Sequence, residues 1–307
     1  MMLGVVLGLG SAVAFGANAI VTRRGVLRAS SNYIATISIF IGPVFFLLAA
    51  YVKGDIYQIG QWPWQAYAFL ALSGVIHFGL GRTWAYRSIQ LIGSTRSYIV
   101  ITLNPIVSIA LAMIVLKETI KPLMILGILF SLSGPLLTMV KEKTVAKGAQ
   151  SKANSPGKEL DRHTLYLGML YGMGAAIFWG SSAIFIKLGL ESGGSPVAGS
   201  LIAYLAASIF ITPALFNREN KREILKADRK SFQIALVSGL TINIAQLLRY
   251  LAFGYGSVII VTLLIRTSNF WVLLFSFIFN REYESFSRWV LLGNALLIGG
   301  IVLILIS

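Results

Sequence analysis

The chain lacks cysteine altogether, so disulfides, thiol chemistry and cysteine-bound zinc are excluded from the start. It is also poor in charge: only 12% of its 307 residues are Asp, Glu, Lys or Arg, about half the share of a soluble domain. No P-loop glycine pattern is present, which argues against ATP hydrolysis by this chain. The two histidines, His77 and His163, lie far apart with no acids beside them and do not suggest a metal site. No cofactor is implied. The scarcest feature is negative charge in apolar surroundings, because none of the 11 acidic residues falls inside a long hydrophobic run.

What is abundant is apolar length. The composition is 56% hydrophobic and the mean hydropathy is +0.78. Runs approaching the ~20 residues that cross a bilayer core recur throughout. Ten spans are expected, at 3–22, 33–52, 66–86, 94–116, 122–140, 165–187, 196–216, 232–253, 257–279 and 287–306. Helices are expected because a bilayer admits only helices or closed barrels, and the runs lack the two-residue alternation of barrel strands. The first run has no basic segment before it and reads as a retained helix, not a cleaved signal. The fold class is all-α integral membrane, multi-pass, in a cell (inner) membrane. The net charge of +15 reflects basic connections facing lipid headgroups, not nucleic-acid binding.

Residues 141–164 are polar and charged and form a linker. They separate a first set of five spans (1–140) from a second (165–307). The two sets resemble each other. Gly10, Phe15, Gly16, Asn18, Arg23 and Gly25 precede Gly174, Trp179, Gly180, Ser182, Lys187 and Gly189 by a constant spacing. Arg82 and Ala85 match Arg249 and Ala252. Gly93-Ser94 matches Gly256-Ser257, and Lys117-Glu118 matches Arg281-Glu282. Five spans are an odd number, so two such units enter the membrane in opposite senses: an inverted-topology repeat, with its site near the midplane. By charge, 18 Lys and Arg lie on the side of the linker (Arg288, heading the tenth run, counted with them) and 4 on the other. The positive-inside rule then puts the linker in the cytoplasm and both termini outside.

The segments GSTRSYIVITLNPIVSIALAMIVLKETI and GSVIIVTLLIRTSNFWVLLFSFIFNREYES resemble the fourth span of the EamA repeat. FGANAIVTRRG and FWGSSAIFIKLG resemble its first. The resemblance covers nearly the whole chain and points to the drug/metabolite transporter superfamily. It implies a ten-helix transporter of small organic solutes and leaves the substrate open. Two departures accompany it. Pro105 has only Asn269 or Ser268 as its counterpart, and the membrane acid of small multidrug relatives is absent. The family usually keeps its termini cytoplasmic, which conflicts with the charge count; the count is preferred here.

Four arginines sit in the apolar runs: Arg82, Arg96, Arg249 and Arg266. A charge at the centre of a spanning helix costs about 2.5–3.5 kcal/mol on insertion scales, so it is normally paired. With no acid in the spans, an anion from outside is the expected partner. Arg266 is deepest, and Thr262, Arg266 and Asn269 share one helical face. They read as a polar stripe with Arg266 as a bidentate anchor for carboxylate, sulfonate or phosphate; the alternative is a structural arginine bonded to backbone carbonyls of a neighbouring helix. Arg82 and Arg249 are repeat-related and near span ends, where two readings stand: snorkelling to headgroups, or charges lining a pathway. Arg96, at the start of span four, has the same two readings, an interfacial charge, which is preferred, or a charge lining the pathway. His77 shares a face with Ser73, Gly81 and Trp84 and reads either as a packing residue or as a proton-coupling group.

Polar faces recur elsewhere: Asn243, Gln246 and Tyr250 in span eight, Ser11, Phe15, Asn18 and Thr22 in span one, Trp179 and Ser182 in span six, and Ser200, Tyr204 and Ser208 in span seven. Together they suggest a cavity with polar contacts and aromatic walls. The expected activity is secondary transport by alternating access, of anionic or zwitterionic metabolites such as amino acids or organic acids, with proton or counter-solute exchange, by a monomer or homodimer. Export of cationic or neutral amines is the alternative. A lipid-modifying enzyme would need clustered His, Asp, Glu or Ser groups near an interface, and a channel would not show trans-stimulation.

Overall fold

The computed structural model describes residues 2–26, 31–134, 137, 161–215, 227–279 and 288–307; Arg281, Glu282 and most of the linker lie outside them. The described residues are helical, with no strand. In chain order the helices are α1 (Met2–Val26), α2 (Ser31–Lys53), α3 (Trp64–Gly74), α4 (Arg82–Ile92), α5 (Ser94–Ile101) and α6 (Asn104–Val115). There follow α7 (Pro122–Gly134), α8 (Arg162–Glu191), α9 (Pro196–Leu215), α10 (Arg229–Tyr255), α11 (Val258–Arg266), α12 (Ser268–Phe279) and α13 (Arg288–Leu305). A 3₁₀ turn (Asp55–Gln61) follows α2, and a π-helical segment (Val75–Gly81) lies between α3 and α4.

Eight segments are long and apolar enough to cross a membrane. They correspond to eight of the ten predicted runs. The third run changes from α to π and back to α, so no single helix in it reaches crossing length. The fifth is described as a helix only over Pro122–Gly134.

The fourth and ninth runs are each broken. Turns at Thr102–Leu103 and at Thr267 split them into α5/α6 and α11/α12. In the first case Pro105 removes a backbone donor and favours the break. In the second no proline is present, and Thr267 closes the turn by donating its hydroxyl to the Leu264 carbonyl at 2.7 Å.

The chain forms two compact units, and each draws on both halves of the sequence. The first comprises residues 1–79 and 181–283, the second 80–180 and 284–307. In the first unit α1 lies along α10, tied by a 2.8 Å bond from the Ser11 hydroxyl to the Ala245 carbonyl. α2 and α3 pack on α9. Glycine is required at this contact: a Cβ on Gly74 would lie 1.9 Å from the Ala203 carbonyl oxygen, and one on Gly42 would meet the Tyr204 ring. The close approach seats Tyr204 among Ile39, Phe46, Phe78, Leu201 and Ala207. In the second unit α7 and α13 approach closely at Gly127 and Gly300, and again at Gly134 and Gly293. The Ser88 hydroxyl lies 2.7 Å from the Gly168 carbonyl, and the Ser108 hydroxyl 2.8 Å from that of Gly180.

Candidate functional site

The first unit holds a buried polar cluster built around one guanidinium. α10 presents Gln246, Arg249, Tyr250 and Phe253 at i, i+3, i+4 and i+7, a single face of a helix. All four are buried; Arg249 is 7% exposed, Gln246 2% and Tyr250 1%. The Arg249 guanidinium donates to the Gln246 side-chain oxygen (3.2 Å) and to the Ser182 hydroxyl (3.2 Å). Its carbon lies 5.3 Å from the centroid of the Phe253 ring. Among the described residues no carboxylate pairs with it.

Other elements close the cluster. Ser182, on α8, also bonds His77 Nδ1 at 2.9 Å. His77 sits in the π-helical segment, whose wider turn changes the register of side chains along the helix. One turn earlier on α3, the Ser73 hydroxyl lies 3.2 Å from the Tyr250 hydroxyl. Phe78, next in the chain after His77, meets the Tyr204 ring at a tilt, with centroids 4.5 Å apart. Arg266, the last residue of α11, lies within Coulombic reach of Arg249. It stands at the carbonyl end of that half-helix, where a cation is favoured.

The predicted site residues thus separate. Gln246, Tyr250, Ser182 and His77 gather around Arg249, with Arg266 and Tyr204 in the same unit. Thr262 is half-buried one turn before Arg266, and its hydroxyl oxygen is buried without a partner. Asn269 is exposed. Asn243 is buried and donates to the Ser38 carbonyl at 3.4 Å, while its own side-chain oxygen has no partner. Asn18 serves a different contact: its oxygen accepts from Ser238 (3.1 Å) and Thr241 (3.0 Å), joining α1 to α10.

Four predicted residues belong to the second unit. Trp84 and Trp179 pack with Ala85, Ile101 and Ala175, and Trp84 meets Tyr171 and Phe178 edge-on. The Arg82 guanidinium lies 5.6 Å from the centroid of the Tyr86 ring. Arg96, also in the second unit, is exposed.

Residues not singled out as site members also contribute. Phe253 faces Arg249, and its position four residues after an intramembrane arginine was the available signal. Lys187 donates to the Phe253 carbonyl (3.1 Å) and points at that of Gly256 (3.4 Å), capping the end of α10.

With a cationic cluster enclosed by apolar helices, the relevant comparison is with membrane carriers. A model of the EamA-like transporter family matches residues 2–140 and 166–306, two copies that leave out little besides the linker. No curated protein matches. One solved crystal structure resembles the chain with a TM-score of 0.73 at 14% identity, covering 98% of this chain and 94% of the other; at that identity the likeness concerns fold alone. Two matching repeats and helices able to cross a bilayer lead to one conclusion: this chain belongs to the EamA-like transporter family, and it is a multi-pass membrane protein of the drug/metabolite transporter type.

Proposed function

We propose that the protein is a secondary transporter that moves anionic or zwitterionic metabolites, such as amino acids or organic acids, by alternating access. The two family repeats (1–140 and 165–307) form five-helix sets of opposite topology across a cell (inner) membrane. The observation that carries the reading is Arg249: a buried guanidinium held by two neutral oxygens, with no carboxylate paired to it among the described residues. A buried cation without a counter-charge is costly, and a guanidinium is shaped to take a carboxylate, sulfonate or phosphate by two parallel bonds. Arg266, within Coulombic reach, adds a second positive charge that an arriving anion relieves. Gln246, Ser182 and the Tyr250 hydroxyl supply neutral polar contacts, and Tyr204 and Phe253 supply aromatic walls.

The test is a thermal-stability screen of purified protein against amino acids, organic acids, sugar phosphates and amines. A ligand at a hundred times its Kd stabilises the folded state by about 2.7 kcal/mol. Stabilisation by carboxylates or phosphates supports the reading. Stabilisation by amines alone replaces it with export of cationic or neutral solutes. In proteoliposomes, uptake of a stabilising ligand is expected to saturate and to accelerate when the same ligand is loaded inside. Linear flux without that acceleration indicates a channel.

A further inference from the structure

We propose that Gln246 reads the substituent next to the cargo's carboxylate, so that the site takes 2-oxo and 2-hydroxy acids in preference to amino acids. The inference rests on the anion site at Arg249 and narrows it.

The orientation of Gln246 is set by its neighbour. A guanidinium donates and never accepts, so along the 3.2 Å contact with Arg249 Nη1 the Gln246 amide presents its oxygen. The amide nitrogen is bonded to the same carbon and stands beside the guanidinium with two N–H groups. Among the described residues nothing accepts a hydrogen bond from it. Arg249 spends one Nη1 hydrogen on Gln246 and one Nη2 hydrogen on Ser182. A guanidinium carries five N–H donors, so others remain for a cargo. Gln246 is 2% exposed, and in so enclosed a place each donor counts for more than it would in water. The pair is rich in donors and short of acceptors.

That imbalance discriminates between cargoes that share a carboxylate. With the carboxylate on the guanidinium by two parallel bonds, the substituent on the adjacent carbon meets Gln246 Nε2. A keto or hydroxyl oxygen there accepts a hydrogen bond. An ammonium brings three donors to a donor, and a second positive charge to a guanidinium. A bare hydrogen or methyl leaves the amide nitrogen without an acceptor, which is penalised.

No acid is at hand to receive an ammonium. Among the described residues of the first unit the carboxylates are those of Asp55, Glu191 and Asp228. Asp55 accepts from Ser195 and pairs with Lys53. Glu191 lies 3.7 Å from Lys187, and Asp228 caps the start of α10. α10 itself carries no acidic residue between Arg229 and Tyr255.

The experiment is calorimetry of purified protein with four acids that differ in one substituent: propionate, lactate, pyruvate and alanine. The parent is expected to bind lactate and pyruvate about tenfold more tightly than propionate, the worth of one neutral hydrogen bond, and alanine no better than propionate. Gln246→Met keeps the length and loses the amide; it is expected to bring lactate and pyruvate down to propionate. Gln246→Glu keeps the shape and gives the guanidinium a carboxylate of its own; it is expected to lose binding of all four acids with the fold retained, and it serves as the test if Gln246→Met does not fold. Alanine bound as tightly as pyruvate overturns the preference and leaves the anion site standing. A pyruvate advantage that survives in Gln246→Met, or undiminished binding in Gln246→Glu, overturns the assignment to Gln246. If none of the four binds while another anion does, the preference falls alone. If no anion binds, or if Arg249→Gln binds pyruvate as the parent does, the anion site falls and this inference with it.

Discussion

Replacing Arg249 by glutamine separates a functional arginine from a structural one. The parent side chain donates to Ser182 and Gln246, each at 3.2 Å. Hydrogen bonds to a charged group contribute about 1.5–3 kcal/mol each. Against them stands the cost of holding a guanidinium out of water, several kcal/mol even after relaxation. The two nearly cancel, and glutamine retains one of the donors, so the melting temperature of Arg249→Gln is expected to stay within a few degrees of the parent. Anion binding has no such compensation. Losing two charge-assisted bonds to a carboxylate or phosphate costs about 3–6 kcal/mol, between roughly a hundredfold and ten-thousandfold in affinity. The assay measures both on one preparation: unfolding in detergent without ligand, then binding and proteoliposome uptake of whichever anion stabilises the parent. Loss of binding with stability kept supports the site. A steep fall in melting temperature together with intact uptake per folded molecule would falsify the reasoning and make Arg249 a packing residue.

Other perturbations follow from the same geometry. Arg266→Gln is expected to abolish anion uptake with the fold retained, and unchanged transport removes Arg266 from the site. Asp55→Asn should lower the melting temperature, because the buried carboxylate that accepts from Ser195 at 2.6 Å and pairs with Lys53 at 3.2 Å becomes neutral; a cost of about 1–3 kcal/mol is expected, and an unchanged unfolding curve refutes it. Gly74→Ala should destabilise the protein strongly, since the added carbon would lie 1.9 Å from the Ala203 carbonyl oxygen, whereas Gly60→Ala meets nothing within 4 Å and should be neutral; equal effects on thermal unfolding contradict the packing of α3 on α9. The absence of cysteine permits orientation mapping with single introduced thiols. By the charge count, Met2→Cys should react with an impermeant maleimide in intact cells and Gly148→Cys only after permeabilisation, and the opposite pattern reverses the orientation.

Much of the architecture is legible in residue order because the physics is local. Apolar length marks the spans, and the constant spacing between Gly10, Gly16 and Asn18 and their later counterparts marks the duplication. The break in the fourth run is announced by Pro105; that at Thr267 has no proline to announce it. The third run reads as one apolar stretch, because a π turn depends on which carbonyl each amide finds, not on composition. Arg249 shows the limit for the site. Near the end of its run it looks equally fit to snorkel or to face inward. Its inward role shows in the bond to Ser182, which comes from α8 and is itself bonded to His77 of the π-helical segment. Helical spacing picks out Gln246, Tyr250 and His77 as polar, but only tertiary contact shows that they surround Arg249 while Asn18 and Trp84 serve other neighbours.

The way the two compact units share the polypeptide bears on its synthesis. Each joins an early stretch to a late one, the first needing residues up to 283 and the second the last helix. Neither can finish assembling until the ribosome has delivered nearly everything, so the early helices must wait in the lipid without their eventual neighbours. A stop codon placed ahead of α13 would therefore leave an unfinished second unit for membrane quality control to remove, even though the whole anion cluster had already been made.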